Sequence, residues 1–150
     1  MYTIEEYDKE KTKVLKYVIY KKRTIREIKT KFKTLIDENM LEDIIKELTE
    51  NGYISDENYI KRAVSEYMAL KNLSIKEIKY KLISKGIPNS MVEEYVLENI
   101  EELEDYEQKS ADNIVIKKIT NMDETEIKVY LLKKGYREES IKNAMQKIEK

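Results

Sequence analysis

The triplet Glu-Ile-Lys recurs three times along the chain, at nearly equal intervals. It falls at 27–29, 77–79 and 126–128, at spacings of 50 and then 49 residues. A period of this size is typical of stacked helical units, each of which is too small to bury a core alone. The repeat therefore constrains the fold more than any other feature of the sequence.

Apolar residues around each triplet are spaced as in an amphipathic helix. In the first copy, Ile25, Ile28, Phe32 and Leu35 lie at positions i, i+3, i+7 and i+10, and the other two copies largely keep these positions. A period of 3.6 places such residues on one face of a helix. We therefore expect three related helices, each with its isoleucine in the core.

Each of these helices is preceded by a residue that is able to cap it. Thr24, Ser74 and Asp123 offer a side-chain oxygen to the free N–H groups of the first turn. The glutamate of the triplet follows each of them three residues later, which is the spacing of a capping box. Local sequence therefore predicts where these helices begin.

A longer apolar-periodic segment precedes each triplet helix, and a break and another helix follow it. No segment alternates at period 2 for long enough to form a strand. We predict an all-α fold, a tandem array of three three-helix repeats that is elongated and curved, with no handedness assigned. The predicted divisions are a lead-in at 1–8 and repeats at 9–53, 54–103 and 104–150.

The net charge of −1 hides a strong segregation of charge. Residues 9–35 carry eleven Lys or Arg and two acidic residues, and 36–57 carry one and eight. The pattern returns as seven and two in 58–87, one and nine in 88–112, and six and three in 113–137. The first two helices of each predicted repeat are therefore basic, and the third is acidic or neutral.

If equivalent helices line up, these charges make a basic ridge that suits an acidic or phosphate-bearing partner. Lys22, Arg26, Lys29 and Lys33 lie at helical spacing on one face. The alternative is a solvated surface laced with intramolecular ion pairs. The predicted partner-binding residues are Lys22, Arg23, Arg26, Lys29, Lys33, Arg62, Lys76, Lys79, Lys81, Lys85, Lys128, Lys133 and Lys134.

Several classes of function lack the residues that they need. There is no cysteine and no histidine, so a thiol zinc site and the commonest general base are both excluded. Three scattered glycines do not make a phosphate-binding loop. We expect no enzyme and no cofactor. The first residues lack the apolar core of a signal peptide, and no apolar run is long enough to span a bilayer, so we expect a cytoplasmic protein.

The stretch KELTENGYISDENYIKRAVSEY, followed by SIKEIKYKLISKGIP, resembles the RecX family of regulators of the RecA recombinase. The closing YLLKKGYREESIKNAM resembles the last repeat of that family, and the resemblance covers about residues 9–149. The positions that match the family motifs are Gly52, Tyr53, Asp56, Tyr59, Leu82, Gly86 and Gly135. One departure is Leu35, where the family often has glycine, so we expect the first repeat to turn differently.

The resemblance implies a monomer that binds along or within the groove of the RecA–DNA filament. It further implies restraint of filament growth, ATP hydrolysis, strand exchange and co-protease action. Because the net charge is slightly negative, we expect only weak binding of single- or double-stranded DNA alone, and we expect no membrane partner. Among the basic residues, Lys79 and Lys85 match family positions.

Two alternatives of other classes stay open. One is a helix-turn-helix protein that binds DNA without RecA, although the last helix of the first two repeats is acidic and poorly suited to phosphate. The other is a generic protein adaptor.

Overall fold

The computed structural model describes residues 2–149, and within that range the chain forms nine α-helices and no β-strand. The all-α prediction is therefore confirmed. The helices are α1 Ile4–Tyr20, α2 Ile25–Phe32, α3 Glu38–Glu50, α4 Asp56–Leu70, α5 Ile75–Ser84, α6 Asn89–Glu98, α7 Ile100–Lys118, α8 Glu124–Lys134 and α9 Glu138–Ile148.

The three helices that contain the Glu-Ile-Lys triplet, α2, α5 and α8, begin with the predicted capping boxes. The Thr24 hydroxyl accepts the backbone N–H of Glu27 at 3.1 Å, and the Glu27 carboxylate accepts the N–H of Thr24 at 3.0 Å. The equivalent residues of α5 and α8 exchange the same two bonds. Because each box occupies two N–H groups that have no partner within the helix, it fixes the first turn.

Glycine closes α3 and α8 in the same way. Gly52 and Gly135 have φ of +83° and +91°. The tyrosine after each glycine donates its N–H to the carbonyl five residues earlier, at 2.9 Å after Gly52 and 3.1 Å after Gly135. This is the Schellman arrangement, which requires a left-handed residue and so favours glycine.

The chain divides into two compact units. The first comprises the residues through Lys61 together with Lys85–Ile87, and the second comprises Arg62–Ser84 together with the residues from Pro88 onward. In the first unit, the apolar faces of α1, α2 and α3 form one core, with the Tyr17 ring packed edge-on against Phe32 at 5.5 Å. This core contains Val14, Val18, Ile28, Phe32, Ile36, Met40, Leu41, Ile44, Ile45, Leu48 and Ile54.

The second unit has a core between α7, α8 and α9. The isoleucine of the third triplet, Ile127, is fully buried there, and Ile78 of the second triplet is 1% exposed elsewhere in this unit. The core contains Ala111, Ile114, Val115, Ile127, Leu131, Tyr136, Ile141, Ala144 and Met145. All three triplet isoleucines are buried, as predicted from the period.

One residue of the predicted apolar stripe around the first triplet is exposed instead. Leu35 is 66% exposed, because α2 ends at Phe32 and the turn that follows breaks the helical phase, so that Ile36 enters the core. Ile119, an apolar residue of the longer segment before the third triplet, is also exposed, by 41%, because it lies beyond the end of α7. The turn after α2 contains no left-handed residue, whereas Gly86 after α5 has a φ of +103°, so the first repeat does turn differently.

The predicted divisions differ from the helix boundaries at two places. Helix α1 begins at Ile4, with Thr3 as its cap, so residues 4–8 belong to the first helix and not to a lead-in. Helix α7 begins at Ile100, before the predicted start of the third repeat. The boundary between the compact units falls within α4. The division into three repeats and their elongated, curved form stay predictions.

Candidate partner-binding surface

In the first unit, the predicted basic residues lie on α2 and beside it. Arg26 and Lys29 are on α2, and Lys33 directly follows it. Because Ile28 and Phe32 turn the apolar face inward, the side chains of Arg26, Lys29 and Lys33 are exposed. Lys22 is exposed too, but it lies in the link between Tyr20 and Ile25, so the predicted run of four cations along one helix is wrong at its first member.

Arg23 packs within the first unit. Its guanidinium lies over the Tyr17 ring, at 4.2 Å from the ring centroid, and its Nε is buried without a hydrogen-bond partner within residues 2–149. A stacked, half-buried guanidinium contributes packing as well as charge. The structure therefore gives Arg23 a packing role that the charge pattern did not predict.

The start of α2 is joined to residues far along the chain by two hydrogen bonds. The buried Thr24 hydroxyl donates to the Lys85 carbonyl at 2.7 Å, and the Ile25 N–H donates to Asp56 Oδ1 at 3.1 Å. Asp56 is a family-motif residue, and burial raises its pKa although the bond from Ile25 opposes the shift. We call these two bonds, with the Gly86–Arg26 contact described next, the first latch.

Gly86 completes the first latch by close approach. A Cβ built on Gly86 would lie 2.4 Å from Cβ of Arg26, a separation that real Cβ atoms essentially never show. Glycine is therefore favoured at this position for two reasons: φ is positive, and α2 lies too close to leave room for a side chain. In the Lys-Gly pair of the family motif, Lys85 thus contributes its backbone carbonyl to the first latch, and Gly86 leaves room for Arg26 because it has no side chain.

The second unit contains an equivalent set of contacts at the start of α5, the second latch. The Ser74 hydroxyl donates to the Lys134 carbonyl at 2.7 Å, and the Ile75 N–H donates to Glu107 Oε2 at 2.9 Å. Gly135 lies against Lys76, since a Cβ on this glycine would be 2.9 Å from Cδ of Lys76 and 3.0 Å from its Cβ. The repeat of about 50 residues is therefore also a repeat of contacts between distant segments.

Glu107 is the centre of a buried polar network that the sequence prediction missed. Its side chain is fully buried, and Oε1 accepts from Ser140 Oγ at 2.7 Å and from Arg137 Nε at 2.9 Å and backbone N at 3.1 Å. Arg137 also pairs with Glu104 at 2.8 Å. Such full pairing is what allows a carboxylate to be buried. Helical spacing in the sequence could have predicted the burial of Glu107, because this residue lies on the buried face of α7. That face also contains Leu103, Tyr106, Ser110, Ala111, Ile114 and Val115.

Several predicted basic residues of the second unit already have intramolecular partners. Lys79 pairs with Glu93 at 3.2 Å, and Lys134 donates to the Asn72 carbonyl at 3.0 Å and lies 3.6 Å from Glu77. Two more make weaker contacts, Arg62 with Glu66 at 3.4 Å and Lys81 over the Tyr67 ring at 5.9 Å. The ion-pair interpretation therefore holds for part of the basic pattern.

Three other predicted residues of this unit are exposed, and none of them makes an ion pair within the described part of the chain. They are Lys76 on α5 and Lys128 and Lys133 on α8. Lys85, in the first unit, is exposed as well and likewise forms no ion pair there, although its carbonyl belongs to the first latch. These lysines remain available to an external partner.

Clefts between the triplet helix and the next helix occur in both units. One of about 250 Å³ is lined by Lys29 and Lys33 with Glu38, Leu41 and Glu42, so its field is of mixed sign. One of about 430 Å³ lies between α8 and α9 and includes Lys128, Leu132, Ile141 and Met145.

Residues 2–149 lack two further kinds of feature. They contain no cluster of three or more acidic, histidine or cysteine side chains placed to hold a metal ion. Nor does any helix in this range combine the length and the apolar character that crossing a bilayer requires.

Comparison with known proteins yields relatives in sequence and in structure. No protein-family model matches the chain. It is 31% identical to Regulatory protein RecX of Staphylococcus carnosus over 140 residues, which are 90% of this chain and 52% of that protein. It is 31% identical to Regulatory protein RecX of Finegoldia magna over 130 residues, which are 86% of this chain and 58% of that protein.

Solved structures show the same fold. The crystal structure of RecX from Lactobacillus salivarius superposes with a TM-score of 0.82 at 24% identity, covering 98% of this chain and 99% of that one. A second crystal structure, of regulatory protein RecX, gives 0.80 at 21% identity, covering 93% and 73%. The chain spans a little over half the length of the curated relatives that it matches. The resemblance to the RecX family is therefore confirmed, because the relatives in sequence and the solved structures with the same fold are RecX proteins.

Proposed function

We propose that this chain is a non-enzymatic regulator of the RecA recombinase. It binds the RecA–DNA filament and limits filament extension, ATP hydrolysis, strand exchange and co-protease activity. It works in the cytoplasm as a monomer, and it binds DNA only weakly when the filament is absent. Sequence similarity to the RecX proteins supports the class of function, and the surface described above supports the mode of binding.

The observation that carries the proposal is a set of outward cations in the first unit. Lys22, Lys29 and Lys33 are exposed, and none of them makes an ion pair with another residue between 2 and 149. Exposed charges act over about 8–10 Å at ordinary salt, so this local set matters more to a partner than the net charge of −1. A filament offers both DNA phosphates and protein carboxylates to such a set.

The direct test is DNA-dependent ATP hydrolysis by the cognate RecA with this protein titrated in. We expect hydrolysis to fall as the ratio of regulator to RecA rises, because the regulator limits the extent of assembled filament. Unchanged hydrolysis at every ratio would contradict the proposal.

Binding to plain duplex DNA without RecA tests the helix-turn-helix alternative. The logarithm of the binding constant falls with the logarithm of salt concentration by about 0.9 for each phosphate neutralised. We expect weak binding without sequence preference. Tight, sequence-specific binding would instead support the alternative.

A further inference from the structure

Two equivalent positions that follow the Glu-Ile-Lys triplets of α2, α5 and α8 change from polar to apolar along the chain. In the first unit, the residue immediately after the triplet is Thr30 on α2, and the residue three positions later is Lys33, just beyond the end of α2. At the same two places α5 carries Tyr80 and Ile83. Helix α8 carries Val129 and Leu132 there. The equivalent positions are thus polar in the first unit and aromatic or aliphatic in the second.

The side chains at these positions in the second unit are exposed. Tyr80 is 73% exposed and Ile83 is 36% exposed, while Val129 and Leu132 are 44% and 53% exposed. The Tyr80 ring and hydroxyl have no partner within the described residues, in contrast to Tyr106 and Tyr136, whose hydroxyls are hydrogen-bonded. A single exposed apolar residue is ordinary. Here, however, the same two outward positions are aromatic or aliphatic on both α5 and α8, so the exposure repeats between equivalent helices.

The charges around Tyr80 favour one kind of partner. Lys76, one turn before Tyr80 on α5, is exposed without an ion pair in residues 2–149, and the neighbouring Lys81 is exposed as well. Lys79 is already paired with Glu93. A tyrosine and an isoleucine beside two cations complement an apolar patch that is bordered by carboxylates. Tyrosine is enriched among the residues that dominate protein interfaces.

Nucleic acid fits this face less well. Single-stranded nucleic acid binds to aromatic rings by base stacking together with a groove of cations. Ile83, Val129 and Leu132 offer no ring, and the pairing of Lys79 removes a cation where phosphate binding needs one. The lysines and threonine of α2 suit phosphate better than the outward face of α5 does.

We propose that the outward face of α5, formed by Tyr80 and Ile83 with Lys76 and Lys81, docks onto a protein surface that has an apolar patch bordered by carboxylates. This inference rests on the proposed function, in which that surface belongs to the protein component of the filament rather than to its DNA. Tyr80 is the residue whose truncation weakens docking most.

The test uses Tyr80→Ala, with Tyr20→Ala as the matched control, because Tyr20 is also an exposed tyrosine, 85% exposed at the end of α1. Each variant is measured in two assays, co-sedimentation with assembled RecA–DNA filaments and fluorescence anisotropy on a bare single-stranded oligonucleotide. Circular dichroism checks that each variant is folded. Tyr80→Phe, which keeps the ring, is measured beside them.

We expect Tyr80→Ala to weaken filament binding by about tenfold or more, as truncation of a central interface tyrosine does. Its binding to the oligonucleotide stays within about twofold of the original chain, and Tyr80→Phe and Tyr20→Ala bind filaments normally. Unchanged filament binding by Tyr80→Ala overturns the inference, and so does an equal loss on the oligonucleotide. Failure of the unsubstituted chain to co-sediment overturns the proposed function and this inference with it.

Discussion

Replacement of Gly86 by alanine tests whether close approach at the first latch constrains the fold. The matched control is Gly52→Ala. Both glycines have positive φ, +103° and +83°, so alanine at either position carries the left-handed penalty of about 1–2 kcal/mol. The space around them differs, since a Cβ on Gly52 meets no atom of residues 2–149 within 4 Å, whereas one on Gly86 lies 2.4 Å from Cβ of Arg26.

The additional cost at Gly86 follows from this distance. Non-bonded carbon atoms settle at about 3.5–4.0 Å, so α2 and residue 86 must separate by more than about 1 Å. Overpacking of this kind costs about 1–3 kcal/mol, and the separation also strains the 2.7 Å bond from Thr24 to the Lys85 carbonyl, worth about 1 kcal/mol. We expect Gly86→Ala to lower the free energy of unfolding by about 2 kcal/mol or more beyond Gly52→Ala.

Urea denaturation followed by circular dichroism measures both variants. A third protein, Gly86→Ala combined with Arg26→Gly, removes the Cβ that causes the clash. It should recover part of the loss, after allowance for about 1 kcal/mol for glycine within a helix. Equal destabilisation by Gly52→Ala and Gly86→Ala, within about 0.5 kcal/mol, would refute the argument from close approach.

Three further predictions concern the same contacts. Gly135→Ala should cost less than Gly86→Ala in urea denaturation, because its nearest neighbour is the movable Cδ of Lys76; an equal or larger cost contradicts this. Glu107→Ala should cost about 3–5 kcal/mol by the same measurement, because it leaves buried partners without an acceptor, and a loss below about 1 kcal/mol contradicts the network. Asp56→Asn keeps an acceptor for the Ile25 N–H but removes the carboxyl, whose pKa is raised above 3.8 in the folded chain. The folded chain therefore binds the Asp56 proton more tightly than the unfolded chain does. As pH rises from about 3.8 toward neutral, the free energy of unfolding of the original chain should fall relative to that of Asp56→Asn. An unchanged or opposite difference contradicts the shift.

The helices and their starting points could be predicted because they depend on nearby residues. Thr24 and Glu27 are three residues apart, so their capping box is visible in the sequence and is present in the structure. The buried isoleucines follow from the helical period in the same way. Leu35 shows the limit of the period, since the pattern continued beyond the residue where α2 ends.

The contacts between distant segments were not predictable from one sequence. Thr24 was recognised as a cap, but nothing local indicates that its hydroxyl also donates to the Lys85 carbonyl, 61 positions away. Glu107 appeared as one of many acidic residues, although its place on the apolar face of α7 indicated burial. The charge pattern predicted exposed lysines but did not distinguish Lys79, which pairs with Glu93, from Lys29, which has no ion pair within residues 2–149.

If the exposed cations beside and on α2 contact the filament, their positive charge should be necessary for inhibition. The test variant replaces Lys22, Lys29 and Lys33 together by glutamate. The control variant replaces Lys9, Lys16 and Lys46 by glutamate. All six side chains are exposed, all lie in the first unit, and the two triple variants change the net charge equally. Each protein is titrated into RecA hydrolysing ATP on single-stranded DNA. We expect the first variant to lose inhibition while the control retains it. Equal inhibition by both variants would show that these cations do not contact the filament.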